Sequence, residues 1–392
     1  MDKKNKNPNV PNLRFKKYSN DWIKYKITDL GEMRRGKSKH RPRDDEMLYG
    51  GVYPFIQTGD IKKAYLYINE YEKTYSNYGL SQSKLWKKGT LCITIAANIA
   101  ETAILSMDAC FPDSVIGWCS NNQLTNNLFI KYYFDYYKEQ LKRLSVGGAQ
   151  ENLNLDKLEK IYFNIPSLQE QNNISNFLSK IDERIQTQIK IINDLKFLKE
   201  GISNLIFKIS VIENSNKTLQ NFLIEGDKTP VDTKKYRKIT IKLNKQGIVY
   251  SDLTREMADT RPFYLRHKGE LIIGKQNYFN GSIAIVDSQF DSCICSNAIM
   301  SFNVKNIDKN FLYYQISNNN YLNSQSYKAN GTGQKELSEK EFLKFKVWCP
   351  SNELQKLIVY SIKGVDEKMN NEKIILKKYI EQKEYLLNNL FI

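Results

Sequence analysis

From Leu178 to Ile206 an apolar side chain returns every three or four positions. Leu178, Ile181, Ile185, Ile192, Leu195, Ile202 and Ile206 fall on one seam, interrupted by Gln188 and Lys199. A 3.5-residue spacing predicts a long helix with a coiled-coil seam, about 43 Å over this stretch at about 1.5 Å per residue. Pro166 stops whatever precedes it, Ser167 is an N-cap candidate, and Ser167-Leu-Gln-Glu170 has the spacing of a capping box. The same seam recurs at Ile362, Val365, Met369, Glu372, Leu376, Tyr379, Lys383, Leu386 and Leu390, behind Pro350 and Ser351.

The two helices belong to a longer repeat. Residues 147–207 align without a gap on 331–391, which sets Gly147 on Gly331, Gln150 on Gln334, Leu153 on Leu337, Gln171 on Gln355, Asp182 on Asp366 and Lys199 on Lys383. The preceding segments correspond more loosely. Lys88-Gly89-Thr90-Leu91 parallels Lys268-Gly269-Glu270-Leu271, each followed by a β-like run, a polar interruption and a second apolar run. Tyr53-Pro-Phe-Ile-Gln-Thr-Gly-Asp60 likewise faces Tyr236 to Leu243. The order is variable block, fixed block, variable block, fixed block, with expected boundaries at 1–148, 149–212, 213–331 and 332–392. This predicts an α+β protein: two pseudo-two-fold-related globular α/β blocks separated by two long antiparallel coiled-coil helices.

The polar seam positions choose the direction. A parallel in-register pair would bury Lys199 against Lys383, whereas an antiparallel pair centred between the 192 and 195 layers sets Lys199 opposite Glu372 and Gln188 opposite Lys383. Antiparallel pairing is therefore predicted, with Gln188, Lys199, Glu372 and Lys383 fixing the register.

Composition adds a partner. The chain has 392 residues, 41% of them hydrophobic, so it can bury real cores, and 59 Lys+Arg against 43 Asp+Glu give a net charge of +16. No run of apolar residues is long enough to span a membrane and the first residues are Lys/Asn-rich, so a cytoplasmic protein is expected. Six cysteines without a CxxC pair and two histidines point to reduced, mostly buried thiols rather than a metal site. The positive charge is clustered. Arg34, Arg35, Lys37, Lys39, Arg41 and Arg43 share one stretch with no acid, and Lys228 to Lys245 holds seven basic residues against Asp232 alone. Two basic loops at corresponding places in two repeats predict a polyanion, double-stranded DNA, with phosphate contacts from the first loop and from Lys234, Lys235, Arg237 and Lys245. Candidate base readers are the neighbouring polar tips: Gln57, Thr58, Lys62 and Lys63, then Asn98, then Lys275, Gln276, Asn277 and Tyr278.

Other chemistry is thin. Gly31 to Ser38 fits the phosphate-loop pattern GxxxxGK[ST], but Pro42 and the absence of an amphipathic period argue against the helix such a loop must open. Asp45, Asp60 and Lys62 are the residues a metal-dependent nuclease reading would use. A nuclease or NTPase acting on DNA is thus the alternative from another class, and a scaffold without DNA sequence preference is a third. Gly331-Thr-Gly333 lacks the third glycine of a dinucleotide loop, no Asn-Pro-Pro-aromatic run for base methylation exists, and no Ser/His/Asp set is credible. No catalytic or metal-ligating set is expected.

The duplicated order resembles the DNA-specificity (S) subunits of type I restriction-modification enzymes. The likeness rests on Leu13-Arg14-Phe15 with Trp22, on Gly50-Gly51-x-Tyr-Pro-Phe-Ile with Gly59-Asp60-Ile61, and on the Lys-Gly-x-Leu strands at 88 and 268. It extends to the Gly-x-x-Gln segments at 147 and 331 and the Pro-Ser helix starts at 166 and 350. The second block carries Leu243-Asn244-Lys245 where the first has Gly-Asp-Ile, so base contacts do not transfer from one half to the other. The resemblance implies two target-recognition domains reading a bipartite DNA target about one helical turn apart. It also implies paired helices that act as a ruler and dock two methyltransferase (M) subunits, and a complex completed by restriction (R) subunits. The chain itself would be non-catalytic and hold no cofactor, with S-adenosylmethionine on the modification subunits and ATP and Mg²⁺ on the restriction subunits.

Overall fold

The computed structural model describes residues 9–145, 153–213, 217–251, 261–326 and 336–392. The Gly-x-x-Gln segments at 147 and 331 and the Gly331-Thr-Gly333 run lie outside the described residues. The chain divides into two compact units, Met1–Lys190 with Lys373–Ile392, and Ile191–Glu372. Each unit takes part of both long helices.

The first unit is built on a five-stranded sheet. In chain order its strands are β1 (Gly31–Arg35), β2 (Tyr67–Ile68), β3 (Leu91–Thr94), β4 (Thr102–Leu105) and β5 (Val115–Ser120), and in space they run β1-β5-β3-β4-β2, antiparallel except for the β2–β4 pair. Gly89 supplies the left-handed turn, φ 89°, that starts β3. Alternation then sorts the side chains by face. Leu91, Ile93, Ile104, Ile116 and Trp118 join the large core beneath helix α2 (Asn127–Ser145), while Cys92, Ala103, Leu105 and Val115 meet Ile61 of helix α1 (Thr58–Lys63).

The second unit repeats the plan with β6 (Leu223–Glu225), β7 (Leu271–Gly274), β8 (Ile283–Ile285) and β9 (Ile299–Val304) in the order β6-β9-β7-β8. Gly269, φ 95°, opens β7 as Gly89 opens β3. Where the first unit has α2, the second has two short helices, Lys309–Ile316 and Asn319–Gln325, broken where Asn318 caps the latter by accepting from the Asn320 and Tyr321 amides.

The long helices are Leu168–Ile212 and Asn352–Leu390, hereafter α3 and α4. Ser167 and Ser351 cap them, accepting from the Glu170 amide at 3.4 Å and the Leu354 amide at 3.3 Å. Glu170 leaves the capping box, because its carboxylate takes the Arg14 guanidinium through two 2.8 Å bonds. The buried Gln171 and Gln355 amides each donate back to the preceding proline carbonyl and bond to the start of the neighbouring helix, Gln171 with Thr125 and Gln355 with Asp308.

Every predicted seam position is buried or half-buried. Within the first unit Asp182 of α3 meets Lys383 of α4 at 3.0 Å, and earlier α3 residues, Ile174 and Leu178, share a core with the later α4 residues Leu386 and Leu390. Within the second unit Lys199 bonds to Asp366 at 2.6 and 2.8 Å, while Ile206, further along, clusters with Val359, further back. Antiparallel pairing holds in both. The charge partners differ from the expected ones: Lys199 takes Asp366 where Glu372 was expected, Glu372 pairs with Lys368 on its own helix, and Lys383 takes Asp182 and Asp135 where Gln188 was expected. The reason is the reach of lysine. A flexible stem lets the ammonium reach an aspartate flanking the seam, a position that layer counting overlooks. All six cysteines are free, and no helix among the described residues is long and apolar enough to cross a membrane.

Candidate nucleic-acid interface

The sheet brings the first basic loop and the Asn98 tip to one end. Arg35, last in β1, pairs with Ile116, and Thr94, last in β3, pairs with Val115, so the chains leaving β1 and β3 emerge on either side of β5. The backbone of the basic loop is moored. The Gly36 amide donates to Val115 (2.8 Å), Lys37 to Phe111 (3.1 Å) and Lys39 to Gln82 (3.1 Å). A Cβ at Gly36 would lie 2.3 Å from the Pro112 carbonyl, so only glycine permits this approach.

The six charges of that loop divide into two groups. Arg34 is paired with Glu32, Arg43 holds Asp113 through bonds of 2.8 and 3.0 Å, and Arg41 folds onto the Ser38 and His40 carbonyls. Arg35, Lys37 and Lys39 are exposed, and among the described residues they meet no carboxylate. His40 is clasped from both sides, by Asp45 at Nε2 (2.8 Å) and by the Tyr78 hydroxyl at Nδ1 (3.1 Å). The Met47 amide and His40 together hold the Asp45 carboxyl below its usual range.

The polar tips differ in what they offer. Asn98 is exposed at φ 54° between Ala97 at 42° and Ala100 at 63°, three left-handed residues in a tight loop closed by the Thr94 hydroxyl. Backbone this costly is kept where the surroundings over-determine it. Gln57 and Thr58 are half-buried at the start of α1, Lys62 is exposed, and Lys63 is paired with Glu72. Asp60 is buried and, in the first turn of α1, reaches back to accept the amide of the N-cap residue Gln57 at 2.8 Å; Asp45 caps the turn at Glu46–Leu48. The phosphate-loop pattern is likewise absorbed. Gly31–Arg35 is a sheet strand, Ser38 is buried 3.4 Å from the Tyr75 hydroxyl, and no helix opens after it.

The second unit repeats the arrangement. β6 ends at Glu225, the Gly226 amide donates to Ser301, and Gly274, last in β7, pairs with Ile299, so the chains leaving β6 and β7 again emerge from one end. The second basic stretch therefore follows the same edge strand as the first. Lys234 and Lys235 are exposed without a carboxylate partner among the described residues. Arg237 lies over the Tyr250 ring at 3.4 Å. Lys245 donates to Asn319 at 2.7 Å, and burial, with Lys199 nearby, pushes its ammonium pKa down. Gln276 and Asn277 are exposed, and Lys275 faces Glu339 at 3.8 Å.

Tyr278 is a correction. Its side chain is fully buried against Phe342 and Phe345, and its hydroxyl donates to the Ile316 carbonyl at 2.8 Å, so it belongs to the core and has no face to offer DNA. Sequence reasoning also missed Arg266 and Glu339, which border this end of the sheet. An arginine in the apolar run Phe263–Arg266 was the available signal for the first.

A family profile described as the type I restriction modification DNA specificity domain matches residues 19–196 and 210–382, and the chain belongs to that family. The type I restriction enzyme specificity subunit S.HindORF215P of Haemophilus influenzae is 29% identical over 164 residues, 40% of each chain. The MjaVIII specificity subunit of Methanocaldococcus jannaschii is 21% identical across 98% of this chain and 95% of its own. Among solved structures, the type I restriction-modification S subunit from M. genitalium superposes with a TM-score of 0.60 at 17% identity, covering 98% of this chain and 99% of that one. A chain from a structure of type I restriction-modification complex assembly gives 0.56 at 12% identity, covering 94% and 97%. At these identities the structural matches show the fold.

Proposed function

We propose that this specificity subunit reads a bipartite double-stranded DNA target and is itself non-catalytic. One observation carries the reading: in both units, the same end of the same sheet presents a basic loop after the edge strand and a polar tip after the strand two places in. Exposed cations position a protein on phosphates, and exposed amides read base edges. Arg35, Lys37 and Lys39 are the phosphate contacts of the first unit, with Asn98, Gln57 and Thr58 as readers. Lys234 and Lys235, with Gln276 and Asn277, serve the second.

The partners are two methyltransferase subunits and the restriction subunits, in the cytoplasm. Docking is supported by apolar side chains that the long helices leave exposed, among them Phe197 and Leu205 on α3 and Leu357 and Tyr360 on α4. S-adenosylmethionine belongs to the modification subunits, and ATP and Mg²⁺ to the restriction subunits. The nuclease and NTPase readings lose their residues, since Asp45 and Asp60 are caps and Ser38 is buried.

Co-expression with candidate methyltransferase subunits, in a host lacking adenine methylation, tests the proposal by genome-wide mapping of modified bases. A split motif that is methylated only when this chain is present is the expected result. Methylation at unrelated sites, or independent of the chain, would refute it.

A further inference from the structure

The reading end of the second unit encloses a cleft of about 650 Å³ into which three separate elements bring cations. Lys228 comes from the chain after β6, Arg266 from the strand Phe263–Arg266, and Lys275 directly follows β7. Arg266 is almost wholly buried. Its guanidinium is spent on neutral partners, the Cys295 sulfur at 3.1 Å and the Asp227 and Leu265 carbonyls at 3.0 and 2.9 Å, and it forms no ion pair among the described residues. Glu339 stands across the cleft. Its Oε2 accepts from Lys228 and its Oε1 lies 3.8 Å from Lys275, while Lys228 also holds Glu225 at 2.7 Å and Glu336 lines the wall.

A carboxylate that offers one oxygen to each of two lysines takes the place that the two non-bridging oxygens of a phosphodiester would take. We propose that this cleft is a binding site for one DNA backbone phosphate, and that Glu339 is its built-in counter-anion, displaced when DNA binds. Glu339 thereby weakens the grip of the second unit on DNA. The free cations of the first unit, Arg35, Lys37 and Lys39, carry no such acid. The inference rests on the DNA-reading proposal above.

The test uses the full chain and a mixed-sequence duplex, with affinity followed against salt. Glu339→Gln should steepen the log–log salt slope by about 0.9, which is an added change of about 3.5-fold in affinity between 50 and 200 mM. Adding Lys275→Ala to that variant should return the slope to the wild-type value. Glu381→Gln, an exposed acid on α4 paired with Lys377, controls for net charge alone. A Glu339→Gln slope no steeper than that of Glu381→Gln overturns the inference while leaving DNA reading intact. Inorganic phosphate is the second probe. It should raise the melting temperature of Glu339→Gln and not that of the Glu339→Gln/Lys275→Ala pair; no such difference overturns the site. Phosphate protection without any duplex affinity would instead support the anion site and refute the DNA-reading proposal.

Discussion

Lys383 and Lys199 occupy the same place in the two repeats and reach the same partner, Asp182 and Asp366, yet the two pairs live in different surroundings. The first is 13% and 2% exposed and the second 33% and 29%. Around Lys383 the first unit adds Lys131, Asp135 and Tyr132: Lys131 holds Asp135 at 2.5 Å, and the Tyr132 hydroxyl donates to Asp182 at 2.7 Å. At the positions of Lys131 and Asp135, counted back from the aspartate, the second unit has Gln315 and Asn319. One helix–helix contact has thus become the centre of a buried ionic network, while its copy remains a half-exposed ion pair. Sequence identity at a contact does not set its energy; the depth of the neighbours does.

The largest expected effect separates the two pairs. Asp182→Asn leaves buried ammonium groups short of an anion and should cost about 3–5 kcal/mol, whereas Asp366→Asn should cost about 0–1 kcal/mol. Denaturant melts of the two variants measure this, and equal losses would break the comparison. Acid sharpens it. Burial pushes the Asp135 carboxyl up, but Lys131 and Lys383 outweigh that and hold its pKa below the ordinary value. A depressed carboxylate stabilises the fold above its unfolded pKa of about 3.9, and that contribution drains away as the pH falls through the folded value. The first unit should therefore lose stability below about pH 4 with a slope that Asp135→Asn flattens; a slope unchanged by the substitution refutes the network's role.

Smaller effects compare the two sheet ends that carry the basic loops. Tyr278→Phe should cost about 1 kcal/mol through the lost bond to Ile316 and leave the salt dependence of DNA binding untouched, whereas a changed salt slope would restore Tyr278 to the interface. In the first unit, Arg35→Ala and Lys37→Ala should each flatten the slope of log affinity against log salt by about 0.9, and Arg43→Ala by clearly less, because Asp113 already neutralises Arg43. Equal slopes for the three variants would mean that pairing with Asp113 does not withhold Arg43 from DNA.

The helical seam was legible because a 3.5-residue period follows from local geometry alone. The partners of its two lysines were not, because both choose aspartates beside the seam rather than groups within it. The basic loops were legible as clustered charge in matching repeats. Which charges are free was not, since Asp113 reaches Arg43 from a distant stretch of chain. Asp45 and Asp60 looked available because capping uses the same carboxylates as metal binding and depends on where a helix begins. Tyr278 follows three polar residues, Lys275 to Asn277, in a turn, and it reads with them although the next residue, Phe279, packs against the same core.

The division of the long helices also sets an order of assembly. The second unit is one unbroken stretch, Ile191–Glu372, whereas the first needs Lys373–Ile392, whose Leu386, Leu387, Leu390 and Phe391 fill its core beside Trp22 and Phe129. At ribosomal speeds of about 5–20 residues per second, the first unit waits about 10–40 s between the emergence of its own α3 segment and the arrival of the piece that seals it. The half that begins synthesis first is the half that finishes folding last, and through that interval its exposed apolar face is what a nascent-chain chaperone would meet.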